Sequence, residues 1–144
     1  MTPALPWWSG TVIYQLIVRS YSDGNGDGTG DFKGLAARLP YLRWLGVNTL
    51  WLTPIYPSPL RDGGYDITDF TGIHPDLGDL SSFHRFLTAA HSQGMRVILD
   101  LVLNHTSDLH PWFQRARWAP KGSPERDVYL SLIHISEPTR PALI

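Results

Sequence analysis

Residues 34–54 read GLAARLPYLRWLGVNTLWLTP, and they contain a helix, a stop and a strand in one run. Leu35, Leu39, Leu42 and Leu45 recur at helical spacing, Gly46 is a fitting C-terminal cap, and Pro40 disturbs an early turn. VNTLWLTP (47–54) then reads as an apolar strand closed by a proline. A helix that hands over to a strand through one glycine is one half of an alternating α/β repeat, so the flanking sequence should supply the other halves.

It does. Upstream, TVIYQLIV (11–18) is β-branched and apolar, with turn residues behind it. Downstream, DLSSFHRFLTAAHSQG (79–94) opens with capping residues, carries Phe83, Phe86, Leu87 and Ala90 on one face and stops at Gly94, and MRVILDLVLN (95–104) follows as a third strand. Strand, helix, strand, helix, strand, with every strand apolar on both faces, predicts an α/β fold: a parallel sheet buried under helices. The turns after the helices are short, whereas the loops after the strands are long and rich in polar groups. Function is therefore expected at the C-terminal ends of the strands, as in open doubly wound sheets and in barrels.

Composition narrows the partners. The chain has 144 residues, 42% of them hydrophobic, a net charge of −1 and no cysteine, which suits about one soluble globular domain. Twelve Lys and Arg are scattered among thirteen Asp and Glu, so there is no basic stripe to neutralise phosphates or anionic lipid, and neither nucleic acid nor membrane is expected as a partner. The start MTPALPWWSG lacks a basic region followed by an apolar one, and VILDLVL is too short to span a bilayer, so a cytoplasmic location is the default. The absence of cysteine fits a reducing compartment and removes disulfides and thiolate metal sites from consideration. Six Trp and six Tyr are many for this length; such rings fill cores or stack on the apolar faces of sugars. A dinucleotide fingerprint after the first strand and a phosphate loop ending in G-K-[ST] are both missing, since Lys33 is followed by Gly34 and Leu35.

Three loops carry chemistry. SDGNGDGTGDF (22–32) places Asp23, Asn25 and Asp27 at alternate positions, a backbone carbonyl near Thr29, and Asp31 beyond it. That is a hard, oxygen-only set suited to Ca²⁺, with Mg²⁺ a second option; a strand precedes it and Gly34 stands where an EF-hand has its bidentate Glu, so it is a calcium-type loop outside that fold. A solvated Gly/Asp turn without an ion is the competing reading. TPIYPSPLRDGGYDITDF (53–70) is stiffened by prolines and opened by paired glycines ahead of Tyr65 and Asp66, which it can present over a cavity or spend on an ordinary turn. In DLVLNH (100–105), Asp100 interrupts an apolar strand with Asn104 on the same side and His105 at its end; a carboxylate there must be paired or functional.

Together, VIYQLIVRSYSDGNGDGTGDFKGL, LGVNTLWLTPIYPSPLRDGGYDI and RVILDLVLNHTSDLHPWF resemble the α-amylase superfamily (glycoside hydrolase family 13), retaining hydrolases and transglycosylases acting on α-glucosides, and DLVLNH resembles its D-x-x-x-N-H region. LRDGGYDI, SDLHPWFQRAR and APKGSPERDVY are most similar to members that convert maltose to trehalose, with α-glucosidases close behind. The resemblance implies the N-terminal part, about three β/α units, of a (β/α)₈ TIM barrel over 1–107 and the start of a small inserted domain over 108–130. It implies that Tyr65 forms an aromatic wall under a glucosyl ring, Asp66 bonds that ring's far hydroxyls, His105 contacts its 6-hydroxyl, Asp100 and Asn104 support the site, and Asp23, Asn25, Asp27, Thr29 and Asp31 hold Ca²⁺. Maltose, trehalose or short α-glucosides are the implied partners.

The family takes its nucleophilic Asp and its acid Glu from later strands, so no residue here is assigned a catalytic role. A barrel needs about 250 residues, so an incomplete chain is expected, inactive and prone to aggregate alone because its strand edges are unpaired. SLIHISEPTRPALI (131–144) has no counterpart in the family pattern and reads as a non-native tail. The rival class is a non-enzymatic calcium- or sugar-binding module.

Overall fold

The computed structural model describes residues 5–129. Three strands, β1 (Ile13–Leu16), β2 (Thr49–Leu52) and β3 (Arg96–Leu99), pair in parallel in the order β1-β2-β3. Leu16, Leu52 and Leu99 stand abreast in register, as do Tyr14, Leu50 and Val97 two residues earlier, and these rows face the two connecting helices α1 (Phe32–Trp44) and α2 (Leu80–Ser92).

Local chemistry sets the helix ends. Asp31 caps α1 by accepting the Gly34 amide at 2.6 Å. Asp79 and Ser82 form a reciprocal capping box on α2, at 2.6 Å and 2.8 Å. Beyond both helices the chain turns through a left-handed glycine, Gly46 (φ 91°) and Gly94 (φ 72°), a conformation glycine adopts without a Cβ clash. Pro40 does not end α1. An interior proline costs about 3 kcal/mol, but Leu35, Leu39 and Leu42 are fully buried and each contributes roughly 2 kcal/mol, so the apolar stripe wins. Leu45, expected on that stripe, is the C-cap residue of the helix and is 49% exposed. Between the helices Phe32 stacks on Phe86 at 5.5 Å and meets Phe83 edge-on at 5.2 Å.

Both helices cover the same side of the sheet, and on the other, the side that a complete barrel turns inward, Ile13 is 47% and Trp51 37% exposed. The third strand is shorter than the expected 95–104, because β2 stops at Leu52 and the last amide it can receive is that of Asp100 (3.2 Å). Past that point the backbone has no ladder partner, and Leu101 and Leu103 are exposed. Asp100 therefore sits just beyond the strand end, not inside the strand.

The first strand-to-helix connection folds tightly onto α1. A Cβ on Gly30 would fall 2.1 Å from the Val18 carbonyl oxygen, and one on Gly34 2.0 Å from that of Ser22, so both positions require glycine for close approach. After β3 come two short helices, α3 (Pro111–Trp118) and α4 (Pro124–Asp127), in the stretch expected to begin an insertion; the expected tail at 131–144 lies outside the described residues. No helix among the described residues is long and apolar enough to cross a membrane.

Candidate active site

The C-terminal ends of β2 and β3 bring three of the expected residues together. Asp100, one residue past β3, accepts the Trp51 indole N–H on Oδ1 at 2.6 Å and the Tyr65 hydroxyl on Oδ2 at 2.7 Å. Both are charge-assisted, the stronger kind of hydrogen bond. They pin the Tyr65 ring, delivered by the loop after β2, to the end of the neighbouring strand. His105 closes the group, its Nε2 lying 3.2 Å from the Tyr65 carbonyl oxygen. The bond to Asp100 is the main reason the Tyr65 phenol is held above its ordinary pKa, with burial and the charges of Asp100 and Asp62 adding to it, so the hydroxyl stays a donor. Asn104 is exposed and is not a hydrogen-bond partner of this group.

Asp66 organises its own loop. Its Oδ1 accepts the Ser58 hydroxyl at 2.6 Å and the Asp62 amide at 3.3 Å, and its Oδ2 accepts the Arg61 amide at 3.0 Å. The carboxylate is thus committed to folding residues 58–62. Burial pushes its pKa up, but those donors outweigh burial and leave it below the usual range. Asp62, beside Tyr65, is exposed to solvent. Arg61 reaches across to Asp108 at 3.3 Å and ties this loop to the segment after β3. Sequence reasoning passed over Trp51, Ser58 and Asp62. The signal for Trp51 was present: it lies one residue before the end of its strand, on the face opposite the buried Leu50 and Leu52.

In the loop of residues 22–32 the oxygens turn to the loop's own backbone. Asp23 accepts the amides of Asn25 (3.0 Å), Gly26 (2.7 Å) and Gly28 (2.8 Å). Asn25 Oδ1 takes the Asp27 amide at 2.9 Å and Asp27 Oδ1 the Thr29 amide at 2.7 Å, while the buried Asp31 takes those of Gly34 and Gly24. Among the described residues no three His, Cys, Asp or Glu side chains gather as a metal-binding group. The donor set remains oxygen-only, and each carboxylate oxygen that accepts one amide keeps a further lone pair, which suits a hard cation.

Several carboxyls share one direction of shift. Asp23 is lowered by the amides of Gly26 and Gly28, Asp69 by the hydroxyl and amide of Thr71, and Asp79 by the amide of Ser82. A carboxyl lowered in the folded state takes up its proton more readily once the chain unfolds. Its stabilisation is complete above about pH 4 and is lost as pH falls through the lowered values. Urea midpoints should therefore be lower at pH 3 than at pH 6; equal midpoints would show that these bonds persist in the unfolded chain.

A family model described as alpha amylase, catalytic domain, matches residues 15–142. The trehalose synthase of Pimelobacter sp. (strain R48) is 56% identical over 124 residues, 86% of this chain and 22% of that enzyme. The oligo-1,6-glucosidase of Parageobacillus thermoglucosidasius is 46% identical over 124 residues, again 86% of this chain and 22% of the relative. Among solved structures, the trehalose-6-phosphate hydrolase of Bacillus licheniformis superposes with a TM-score of 0.83 at 44% identity, covering 88% of this chain and 22% of that one. The chain thus spans about a fifth of the length of the relatives it matches, and its three parallel strands with their helices form the N-terminal part of a TIM barrel. A chain matched over most of its length by that family model, with its polar cluster at the C-terminal ends of its strands, belongs to the α-amylase family of catalytic domains.

Proposed function

We propose that the full-length protein containing this chain carries out retaining α-glucosyl transfer, isomerising maltose to trehalose. The observation that carries this reading is the cluster in which Asp100 holds Trp51 and Tyr65 at the strand ends, with His105 beside them. It is supported by the 56% identity to a trehalose synthase. In this reading the Tyr65 ring is the platform for one glucosyl unit, His105 contacts its 6-hydroxyl, and Asp100 supports the platform. Asp62 is the loop carboxylate placed to bond the ring's hydroxyls, Asp66 shapes the backbone of residues 58–62, and Asn104 keeps the supporting role that the resemblance implies. The nucleophile and the acid, a carboxyl pair about 5 Å apart in retaining enzymes, come from outside these strands. A cytoplasmic location accords with the cysteine-free composition.

Hydrolysis of α-glucosidic bonds is the second reading, favoured by the 46% identity to an oligo-1,6-glucosidase. Chromatography of maltose incubated with the full-length enzyme separates the two. Trehalose as the main product supports isomerisation, and glucose alone supports hydrolysis.

A calcium-type cation would be held by Asp23, Asn25, Asp27, the Thr29 carbonyl and Asp31. It would tie the first loop to the start of α1 and take no part in glucosyl transfer. A chelator should then lower the unfolding free energy by about 1.4 kcal/mol relative to ion at ten times its dissociation constant. An unchanged melting curve would favour the ion-free turn.

A further inference from the structure

We propose that His74 is a positioning residue: a neutral imidazole, protonated on Nε2, that hooks the carbonyl of Ser58 and so holds the Tyr65 loop against the segment that follows β1. What that loop presents to a ligand rests on the function proposed above; the hook itself rests on geometry.

The three groups within hydrogen-bond reach of the His74 ring set its tautomer, and the Asp76 carboxylate oxygen stands farther off, 3.9 Å from Nδ1. Nε2 lies 3.2 Å from the Ser58 carbonyl oxygen, which can only accept, so Nε2 carries a proton. Nδ1 lies 3.3 Å from the Asp76 amide and 3.3 Å from the Arg19 guanidinium, both of which can only donate, so Nδ1 offers its lone pair. Arg19 is itself fixed by the Asp76 carboxylate at 2.8 Å, and the His74 amide is bound to the Ile55 carbonyl at 2.8 Å. The side chain is only 12% exposed, at the wall of a cavity of about 310 Å³ that Arg19, Tyr56 and Leu60 also line.

The hook reaches the site through Ser58. The Ser58 hydroxyl donates to Asp66 and accepts the amide of Leu60 at 2.9 Å, and Asp66 in turn receives the amides of Arg61 and Asp62. Leu60 is the one non-glycine residue with positive φ (60°) among the described residues, a conformation that persists only when its surroundings enforce it. One imidazole thus anchors the strained turn from which Tyr65 extends.

His74 also caps the short turn Pro75–Leu77 through Nδ1, so the test must separate hook from cap. His74→Asn keeps an acceptor near Nδ1 and loses the donor to Ser58. His74→Gln restores an N–H at the reach of Nε2. In the full-length enzyme, His74→Asn should raise KM for maltose about tenfold, the worth of one hydrogen bond, and change kcat far less. It should also speed amide exchange over residues 58–66, and His74→Gln should restore most of both. Wild-type KM and exchange in His74→Asn, or equal losses in both variants, would overturn the hook. So would nitrogen-15 spectra showing a neutral ring protonated on Nδ1. If the wild-type enzyme turns over no α-glucoside, the proposed function fails, while exchange and the tautomer still decide the role of His74.

Discussion

Asp100→Ala in the full-length enzyme is expected to lower kcat/KM for maltose by about a hundredfold. Two donors lose a charged partner at once, and hydrogen bonds to charged groups are worth about 1.5–3 kcal/mol each. Part of that is recovered by water at an exposed strand end, so roughly 2.7 kcal/mol is left to appear in the barrier, which corresponds to the stated factor. Asp100→Asn keeps an oxygen for one of the two donors and should lose distinctly less. Tyr65→Phe removes only the hydroxyl, leaves the ring, and should fall between Asp100→Asn and wild type. Melting temperatures measured beside the rates separate a displaced ring from a collapsed fold. Undiminished turnover by a folded Asp100→Ala enzyme would show that the cluster does not serve glucosyl transfer.

Gly34→Ala sets two effects against each other. Alanine is the better helix former by about 1 kcal/mol, so propensity alone predicts stabilisation at this position of α1. Packing predicts the reverse, because the added Cβ would lie 2.0 Å from the Ser22 carbonyl oxygen and 2.9 Å from the Gly24 nitrogen, both of them backbone. Neither can swing away as a side chain would. The loop must lift off the helix, and it takes with it the 3.1 Å bond from the Asp31 amide to Ser22 and the Asp31 cap. Overpacking of this kind costs about 1–3 kcal/mol and loss of the cap about 1 kcal/mol, which together outweigh the propensity gain, so a net destabilisation of about 1–3 kcal/mol is expected. Denaturant titration of the variant checks the sign. A stabilised protein would mean that the first loop and α1 are not in contact.

What could be read in the sequence was whatever repeats with a period. Leu35, Leu39 and Leu42 marked the buried stripe of α1, Phe86 and Ala90 that of α2, and Gly46 and Gly94 the turns that reverse the chain. The alternation of these helices with apolar runs was enough for a parallel sheet. Strand ends were not legible, because a strand stops where its neighbour stops: β3 ends at Leu99 on account of Leu52, forty-odd residues away in the chain, although DLVLN continues the apolar pattern.

The site divides in the same way. Tyr65, Asp100 and His105 were found because their loops carry the resemblance, and the structure brings them together. Asp66 was given a sugar-facing role by the resemblance, and the folded loop shows that its carboxylate also accepts from Ser58, Arg61 and Asp62. Trp51 was passed over, although its place near the strand end, opposite the buried Leu50 and Leu52, marked it. The spacing of Asp23, Asn25, Asp27 and Asp31 was correctly read as a loop, but spacing does not reveal that all four side chains accept backbone amides.

The most direct measurement is a crystal structure of the full-length enzyme with glucose or maltose bound. A glucosyl ring is expected over the face of Tyr65, within hydrogen-bond reach of His105 and Asp62, with Asp100 still accepting from Trp51 and Tyr65. A sugar seated elsewhere on the barrel, with Tyr65 and His105 facing only solvent, would contradict the proposal that these strand ends form the glucoside site.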